Sequence, residues 1–301
     1  MELKKFAAID IGSNSVRLLI EHVIETPKEA MFKKNSLIRV PVRLGADAFN
    51  DEKIPERTVK KLVEAMVAFR YLMQVNDVVY YKGCATSAMR EARNGPEIVK
   101  RIRKEAGIEI EIISGNSEAN VIFNSQNYVA QRTSDNCVFI DVGGGSTEIT
   151  IFQNSKVSAA KSFDIGTIRL MNEQVTKEHW KTLRDWLKKE TKGLKSFAVV
   201  GSGGNINRLS KLAELKQGKP LSLDILTAMH AQLKKLSVEE RMKQFDLNPD
   251  RADVIVPAAE IFIRLMDWLD ASKIYVPKIG LSDGLVREAY WEWKGHQRKG
   301  L

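Results

Sequence analysis

The chain has 301 residues, 44% hydrophobic and 28% charged, which is enough apolar material for two packed domains and too much for a wholly disordered chain. Two cysteines, Cys84 and Cys137, exclude a disulfide framework and a four-cysteine zinc site, and no run of 18 apolar residues exists to make an ordinary transmembrane helix. A net charge of +9, from 47 Lys and Arg against 38 Asp and Glu, favours either anionic partners or a plain solvated basic surface. The apolar run at the N-terminus is cut by Asp10 and is too short for a signal-peptide core, so a reducing, cytoplasmic setting is expected.

An apolar strand is predicted over 6–9. It reaches Asp10-Ile11-Gly12-Ser13-Asn14-Ser15 and resumes over 16–20. Extended stretches near 30–33 and 37–44, with charged and small residues between them, complete a meander. Apolar residues at Val59, Leu62, Val63, Met66, Val67 and Phe69 predict an amphipathic helix over 58–74. A short strand over 78–81 ends at Gly83, and a helix over 96–105 starts on a proline. A strand over 108–113 stops at Ser114-Gly115-Asn116-Ser117, and a helix begins around Glu118.

The pattern then recurs. The strand over 137–140 reaches Asp141-Val142-Gly143-Gly144-Gly145-Ser146-Thr147-Glu148, resumes over 149–152, turns, and returns over 156–162. The two Asp-x-Gly turns lie 131 residues apart, each followed by a meander, which reads as a duplicated unit. A strand over 197–200 runs into Gly201-Ser202-Gly203-Gly204-Asn205. The remainder is mostly helical, with a strand over 273–276 before Gly280-Leu281-Ser282-Asp283-Gly284 and a last helix over 285–293. Two α/β domains follow, 1–125 and 126–301, with the last helix able to pack back on the first, and the cleft between the halves is the expected ligand site.

Glycine lets successive backbone amides converge on phosphate oxygens, and Ser13, Ser15, Ser146 and Thr147 add hydroxyls. One such turn is often a mere tight connection; two with matching aspartates are a stronger signal. Neither fits a Walker P-loop or the dinucleotide fingerprint. Asp10 and Asp141 would repel phosphate unless a cation or proton intervenes, and Mg²⁺ suits one or two carboxylates with phosphate oxygens. The competing reading is that each aspartate merely caps its turn.

The first of these turns, with Arg17-Leu18-Leu19, resembles the first phosphate motif of the exopolyphosphatase / guanosine pentaphosphate phosphohydrolase family. Thr86-Ser87-Ala88-Met89-Arg90-Glu91-Ala92, Ile112-Ile113-Ser114-Gly115, Asp141 to Glu148 and Leu281-Ser282-Asp283-Gly284 resemble that family's other signatures, in its order. The resemblance runs essentially end to end. It implies an α/β fold of two ribonuclease-H-like domains around a central cleft, as in the actin, sugar kinase and heat-shock chaperone ATPase superfamily. It also implies the short, two-domain type, without the HD-like third domain of longer members.

By the same resemblance, Glu118 activates the attacking water and Arg90 faces the phosphate chain, a task suited to a planar guanidinium fork. The phosphate-binding residues are then Gly12, Ser13, Asn14, Ser15, Gly143, Gly144, Gly145, Ser146 and Thr147. Asp10, Asp141 and Glu148 are the metal candidates, for Mg²⁺, with a monovalent cation such as K⁺ as a further candidate cofactor. The family carries two consecutive glutamates where this chain has Ser117-Glu118; the second is the one that matches the catalytic residue. On residues alone, the favoured reading of Glu118 is an acid stabilising a helix N-terminus; the resemblance turns it to catalysis.

The expected activity is removal of terminal orthophosphate from inorganic polyphosphate. The alternatives are hydrolysis of guanosine pentaphosphate to the tetraphosphate and a sensing protein that binds either ligand without turnover. A homodimer is a candidate assembly; no membrane partner and no specific nucleic-acid partner is expected. Basic runs over 177–195 and 100–104 are candidates for guiding a polyanion, or are simply solvated helix faces.

Overall fold

From Phe6 onward every residue of the first strand, β1 (Leu3–Ile11), is buried, as happens where helices cover both faces of a sheet. The computed structural model describes residues 3–26, 29–118, 120–122, 136–154, 156–194, 196–215, 219–277 and 280–299. The chain divides into two compact units, Met1–Ser125 with Leu281–Leu301, and Gln126–Gly280. The boundary expected near residue 125 falls in 123–135, outside the described residues.

The first unit is a mixed sheet of order β3-β2-β1-β4-β5. The strands β2 (Val16–Glu25) and β3 (Ala30–Val40) form the antiparallel meander with β1. The strands β4 (Val78–Ala85) and β5 (Glu111–Ile112) add in parallel. The helix Glu56–Val75 buries Val59, Leu62, Val63, Met66 and Phe69, and the helix Gly95–Ala106 packs beside it. The helix Leu281–Lys299 packs on β1, β2 and β4. Its Tyr290 is 1% exposed and meets Phe6 and Phe32 edge-on at 5.5 and 5.6 Å, while the hydroxyl donates to Glu25. The aromatic ring is thus fully dehydrated with its one polar atom satisfied.

The second unit repeats the plan in the order β10-β11-β9-β6-β7-β8. The strands β6 (Cys137–Val142), β7 (Thr147–Gln153) and β8 (Lys156–Phe163) are its meander. The strand β9 (Ala198–Ser202) joins β6 in parallel, followed by β11 (Lys273–Tyr275), with β10 (Leu221–Ser222) antiparallel at the edge. The core is aliphatic, built on Val138, Ile140, Ile149, Ile151, Leu209, Leu226, Phe262 and Leu265. Both units therefore have the ribonuclease-H-like order of an antiparallel meander continued by parallel strands. No helix of the described residues is long and apolar enough to cross a membrane.

Several local expectations change. The stretches near 30–33 and 37–44 are one strand: its pairing slips between Ile20 and Glu21, leaving Asn35 as an extra residue in β3, and this bulge makes the polar run 33–36 read as a break. Leu44 opens a helix, Leu44–Asp51, instead of closing a strand. The strand over 108–113 shrinks to Glu111–Ile112. The edge strand β10 has two residues, too few to leave a periodic signal.

Glu21 of β2 is 2% exposed, and its Oε2 has no hydrogen-bond partner among the described residues. Burial, and then the Asp283 carboxylate, push its carboxyl from the ordinary 4.5 up to about 7, against Arg287 and Lys34. In the unfolded chain this group ionises near pH 4.5, in the folded chain near 7. Its stabilising protonated form is fully effective below pH 4.5 and is lost as pH rises to about 7. Glu21→Gln is expected to flatten that segment of the stability profile and to raise stability at pH 8 by roughly 2 kcal/mol. Urea unfolding at pH 5 and pH 8 checks this, and an unchanged profile would remove Glu21 as the titrating group.

Candidate active site

The two glycine turns are built alike, residue n of the first matching residue n + 131 of the second. Asp10 pairs across the sheet with Arg17, and Asp141 with Glu148. The Gly12 amide donates to the Ser15 carbonyl at 3.2 Å, and the Gly143 amide to the Ser146 carbonyl at 2.9 Å. The carbonyls at the tip are then tied down from outside. Ser13 and Asn14 carbonyls accept from the Gly45 and Arg43 amides at 2.7 and 3.0 Å. Gly143 and Gly144 carbonyls accept from the Thr167 and Ile168 amides at 3.0 and 2.8 Å, and the Gly145 carbonyl accepts from Arg169 Nε at 2.8 Å. A trans peptide points its N–H away from its C=O. Tethering the carbonyls therefore turns the amides of 14, 15 and 144–146 to the opposite side, the arrangement that binds anions.

In the first unit a line of polar groups runs on from the turn. The Ser13 and Ser87 hydroxyls are 2.8 Å apart and buried. Ser87 opens the short helix Ser87–Glu91, whose start is held by the Thr86 amide donating to the Ile11 carbonyl at 3.1 Å. Arg90, on the same helix, donates through Nη1 to the Ile113 carbonyl at 2.8 Å. Its Nη1 also stands 3.9 Å from Glu118 Oε2. Glu118 lies in a helical turn, residues 115–118, and its amide donates to the Ser114 carbonyl at 2.9 Å. Ser117, where the family resemblance led to a glutamate, holds Ser114 instead: the hydroxyls are 2.9 Å apart and the Ser117 amide donates to Ser114 Oγ at 3.0 Å. Ser117 thus rigidifies the turn that carries Glu118.

Asp10 is 4% exposed and ion-paired to Arg17 at 3.1 Å, with the Ser282 hydroxyl at 3.5 Å. Burial pushes its carboxyl above the ordinary carboxylate range, against the pull of Arg17 and Ser282. A guanidinium already supplies the positive charge there, so the donor set around Asp10 does not fit a metal ion as expected from sequence. Cys84, beside Asp10 in the parallel pair, is buried, and burial, then the Asp10 carboxylate, raise its thiol well above the ordinary range, which disfavours the thiolate.

The second unit differs at that position. Asp141 and Glu148 stand opposite each other on β6 and β7. The Ser202 hydroxyl donates to Asp141 Oδ2 at 2.7 Å, and the Ser162 hydroxyl donates to Glu148 Oε1 at 2.9 Å. Gly203 has φ of +90°, and a Cβ there would stand 2.5 Å from Asp141 Oδ1. Among the described residues no group of three or more His, Cys, Asp or Glu could hold a metal ion. Mg²⁺ needs only one or two carboxylates, completed by water and phosphate oxygens. Asp141 and Glu148 supply that donor set and fit it. The third glycine turn is pinned to the same strand end: Asn205 donates to the Val142 carbonyl and accepts from Arg251, both at 2.9 Å.

The structure therefore gathers Asp10, Gly12 to Ser15, Arg90 and Glu118 in one unit, and Asp141, Gly143 to Thr147 and Glu148 in the other. Sequence reasoning named no role for Ser87, Ser202 or Ser282. Their signal was a serine beside a motif aspartate, arginine or glycine, too common to single out without coordinates.

A family model described as the Ppx/GppA phosphatase family matches residues 23–290. The chain belongs to that family of phosphatases. It is 26% identical over 299 residues to the bifunctional 3-dehydroquinate synthase/phosphatase of Fusobacterium nucleatum, covering 90% of this chain and 44% of that protein. It is 24% identical over 302 residues to exopolyphosphatase 1 of Mycobacterium tuberculosis, covering 94% and 87% respectively. It is 24% identical over 308 residues to the guanosine-5'-triphosphate,3'-diphosphate pyrophosphatase of Photobacterium profundum, covering 97% and 60%. The chain thus spans less than two thirds of the Fusobacterium and Photobacterium relatives. A solved Ppx/GppA family member from Aquifex aeolicus superposes with a TM-score of 0.76 at 26% identity, covering 97% of this chain and 99% of that one.

The Gly203 geometry gives a direct check. Gly203→Ala adds a Cβ in a left-handed backbone and against Asp141, and is expected to lower stability by roughly 1–3 kcal/mol. Gly295→Ala, with nothing within 4 Å of its Cβ in the last helix, is expected to raise stability by about 0.5–1 kcal/mol. Thermal or urea unfolding of the two variants should move in opposite directions.

Proposed function

We propose that this chain is a Mg²⁺-dependent phosphoanhydride hydrolase that releases orthophosphate from the end of inorganic polyphosphate. The observation that carries the reading is the line Ser13, Ser87, Arg90, Glu118, which sets a carboxylate beside a guanidinium next to an anion-binding turn. Glu118 takes the proton of the water that attacks the terminal phosphorus. Arg90, braced by the Ile113 carbonyl, faces the oxygens that gain charge as the anhydride bond breaks. The turn amides, with Ser13 and Ser15, hold phosphate oxygens in the first unit, and Gly143 to Thr147 provide the same kind of cradle in the second.

Asp141 and Glu148 would hold Mg²⁺, which when bound supplies positive charge to phosphate oxygens and to the leaving group. Similarity to exopolyphosphatase 1 supports polyphosphate as the substrate. Similarity to the guanosine pentaphosphate-acting relative supports the second substrate, which presents the same terminal anhydride.

The test is orthophosphate release with Mg²⁺ from long-chain polyphosphate, tripolyphosphate and guanosine pentaphosphate. Release is expected, greatest from polyphosphate. Glu118→Gln is expected to lower kcat by about 10²–10⁴ while substrate affinity stays within a few fold. Near-normal turnover in that variant would sink the base assignment. Faster release from guanosine pentaphosphate would select the second substrate. Tight binding with no release from any of the three would make the chain a sensor.

Asp141→Asn is expected to raise the Mg²⁺ concentration needed for half-maximal rate by tenfold or more. An unchanged Mg²⁺ titration would place the cation elsewhere.

A further inference from the structure

Two basic runs stand out in the sequence, and the structure separates them. On the helix Gly95–Ala106 two of the four basic charges are consumed: Arg101 pairs with Glu56 at 2.6 Å and Glu105 at 2.8 Å, and Arg103 with Glu109 at 2.7 Å, which leaves only Lys100 and Lys104 exposed without an ion pair among the described residues. On the helix Lys177–Glu190 they are arrayed. Lys177, Lys181, Arg184 and Lys188 follow the spacing i, i+4, i+7, i+11, so they form one stripe. All four are exposed, while Leu183 and Leu187 face the core. Lys181 pairs with Asp185 at 3.1 Å. Among the described residues Lys177, Arg184 and Lys188 have no carboxylate within ion-pair distance. Lys177 and Lys188 are about 16 Å apart along the helix axis, long enough to meet several consecutive units of a polymer.

The stripe borders an aromatic pair. Trp180 meets Trp268, of the helix Ile255–Trp268, edge-on at 5.8 Å. The Arg184 guanidinium lies over Trp268 at 5.9 Å, and that of Arg264 lies over Trp180 at 4.9 Å. Each ring therefore has a guanidinium over one face, that of Arg264 also paired with Glu260 at 2.8 Å. Four cations at helical spacing on one exposed face complement the charge of an anionic chain.

We infer that the stripe of Lys177, Lys181, Arg184 and Lys188, with Arg184 and Arg264 over the paired tryptophans, is a docking surface for a long inorganic polyphosphate chain. The inference rests on the proposed substrate. It predicts that affinity grows with chain length as more of the stripe is engaged, and that this gain is screened by salt.

The test is binding of long-chain polyphosphate, followed by tryptophan fluorescence in EDTA, over a salt series. The neutral triple variant Lys177→Gln/Arg184→Gln/Lys188→Gln is expected to lose at least tenfold in affinity at low salt. The slope of log affinity against log salt should shrink by about 2, at roughly 0.7 for each phosphate no longer neutralised, the value for a single strand. The double variant Lys177→Gln/Lys188→Gln, which keeps Arg184 on Trp268, should lose an intermediate amount. Lys100→Gln/Lys104→Gln, on the other basic helix, should lose none.

Unchanged long-chain affinity in the triple variant would overturn the surface while leaving the hydrolase reading intact. A chain that hydrolyses no polyphosphate yet shows this stripe-dependent binding would fail the hydrolase reading and keep the surface. Equal competition by a single-stranded oligonucleotide of matched charge, with a dependence on base composition, would make this a nucleic-acid surface and overturn the assignment.

Discussion

Everything at the candidate site depends on how the carbonyls of two short turns are held. A glycine-bearing turn between antiparallel strands has several backbone conformations available, and only some direct amides together. Here the selection is made from outside the turn. The Arg43 and Gly45 amides fix the first, and Thr167, Ile168 and the Arg169 side chain fix the second. In both units those donors sit at the start of the helix that follows the third strand of the meander. The meander is thus more than a covering for the core: its return path delivers the donors that orient the turn. Gly166 is part of this device, since a Cβ there would run into the backbone of Gly144 and Gly145.

The same dependence explains what the sequence made legible. Both turns were visible because glycine, serine and aspartate are the residues such backbones need, and their recurrence at a fixed offset exposed the duplication. The donors that hold them were not visible. Arg43 is a non-glycine residue with φ of +62°, and it supplies a backbone amide, so its side-chain type carries no message. Leu44 looked like the end of a strand because a single apolar residue beside Val42 fits either period. The bulge at Asn35 broke the alternation of an edge strand that also exposes Met31 and Leu37, so burial and residue type did not alternate together. The last helix was seen, but its start at Leu281 was hidden by Gly280 and Gly284, which read as loop. Gly284 is instead a packing position, where a side chain would collide with the Val121 backbone.

Charge runs show the complementary failure. The sequence ranked 100–104 and 177–195 together, because composition alone cannot say where counter-charges fold. Glu56 and Glu109 pair with Arg101 and Arg103 and so remove half the charge of one run. The other keeps its spacing on a single helix face; Lys195, at its end, lies outside the described residues. The distinction is a tertiary fact, which composition alone does not carry.

Duplication with one reversed charge then divides the labour between the turns. The position seven residues after the aspartate is Arg17 in the first unit and Glu148 in the second, at the same place in the strand pair. In the first, Asp10 faces a cation and the pair is internally balanced. In the second, two carboxyl groups stand directly opposite, Glu148 buried and Asp141 half-buried, a cross-strand arrangement that is destabilising for like charges. The hydroxyls of Ser202 and Ser162 donate hydrogen bonds to them. A divalent cation would ease that repulsion, in keeping with the metal site proposed for this pair. The backbone common to both turns is the part proposed to hold phosphate. The exchange of Arg17 for Glu148, one of several differences between the two turns, is the reason the proposed metal is assigned to the second and not to the first.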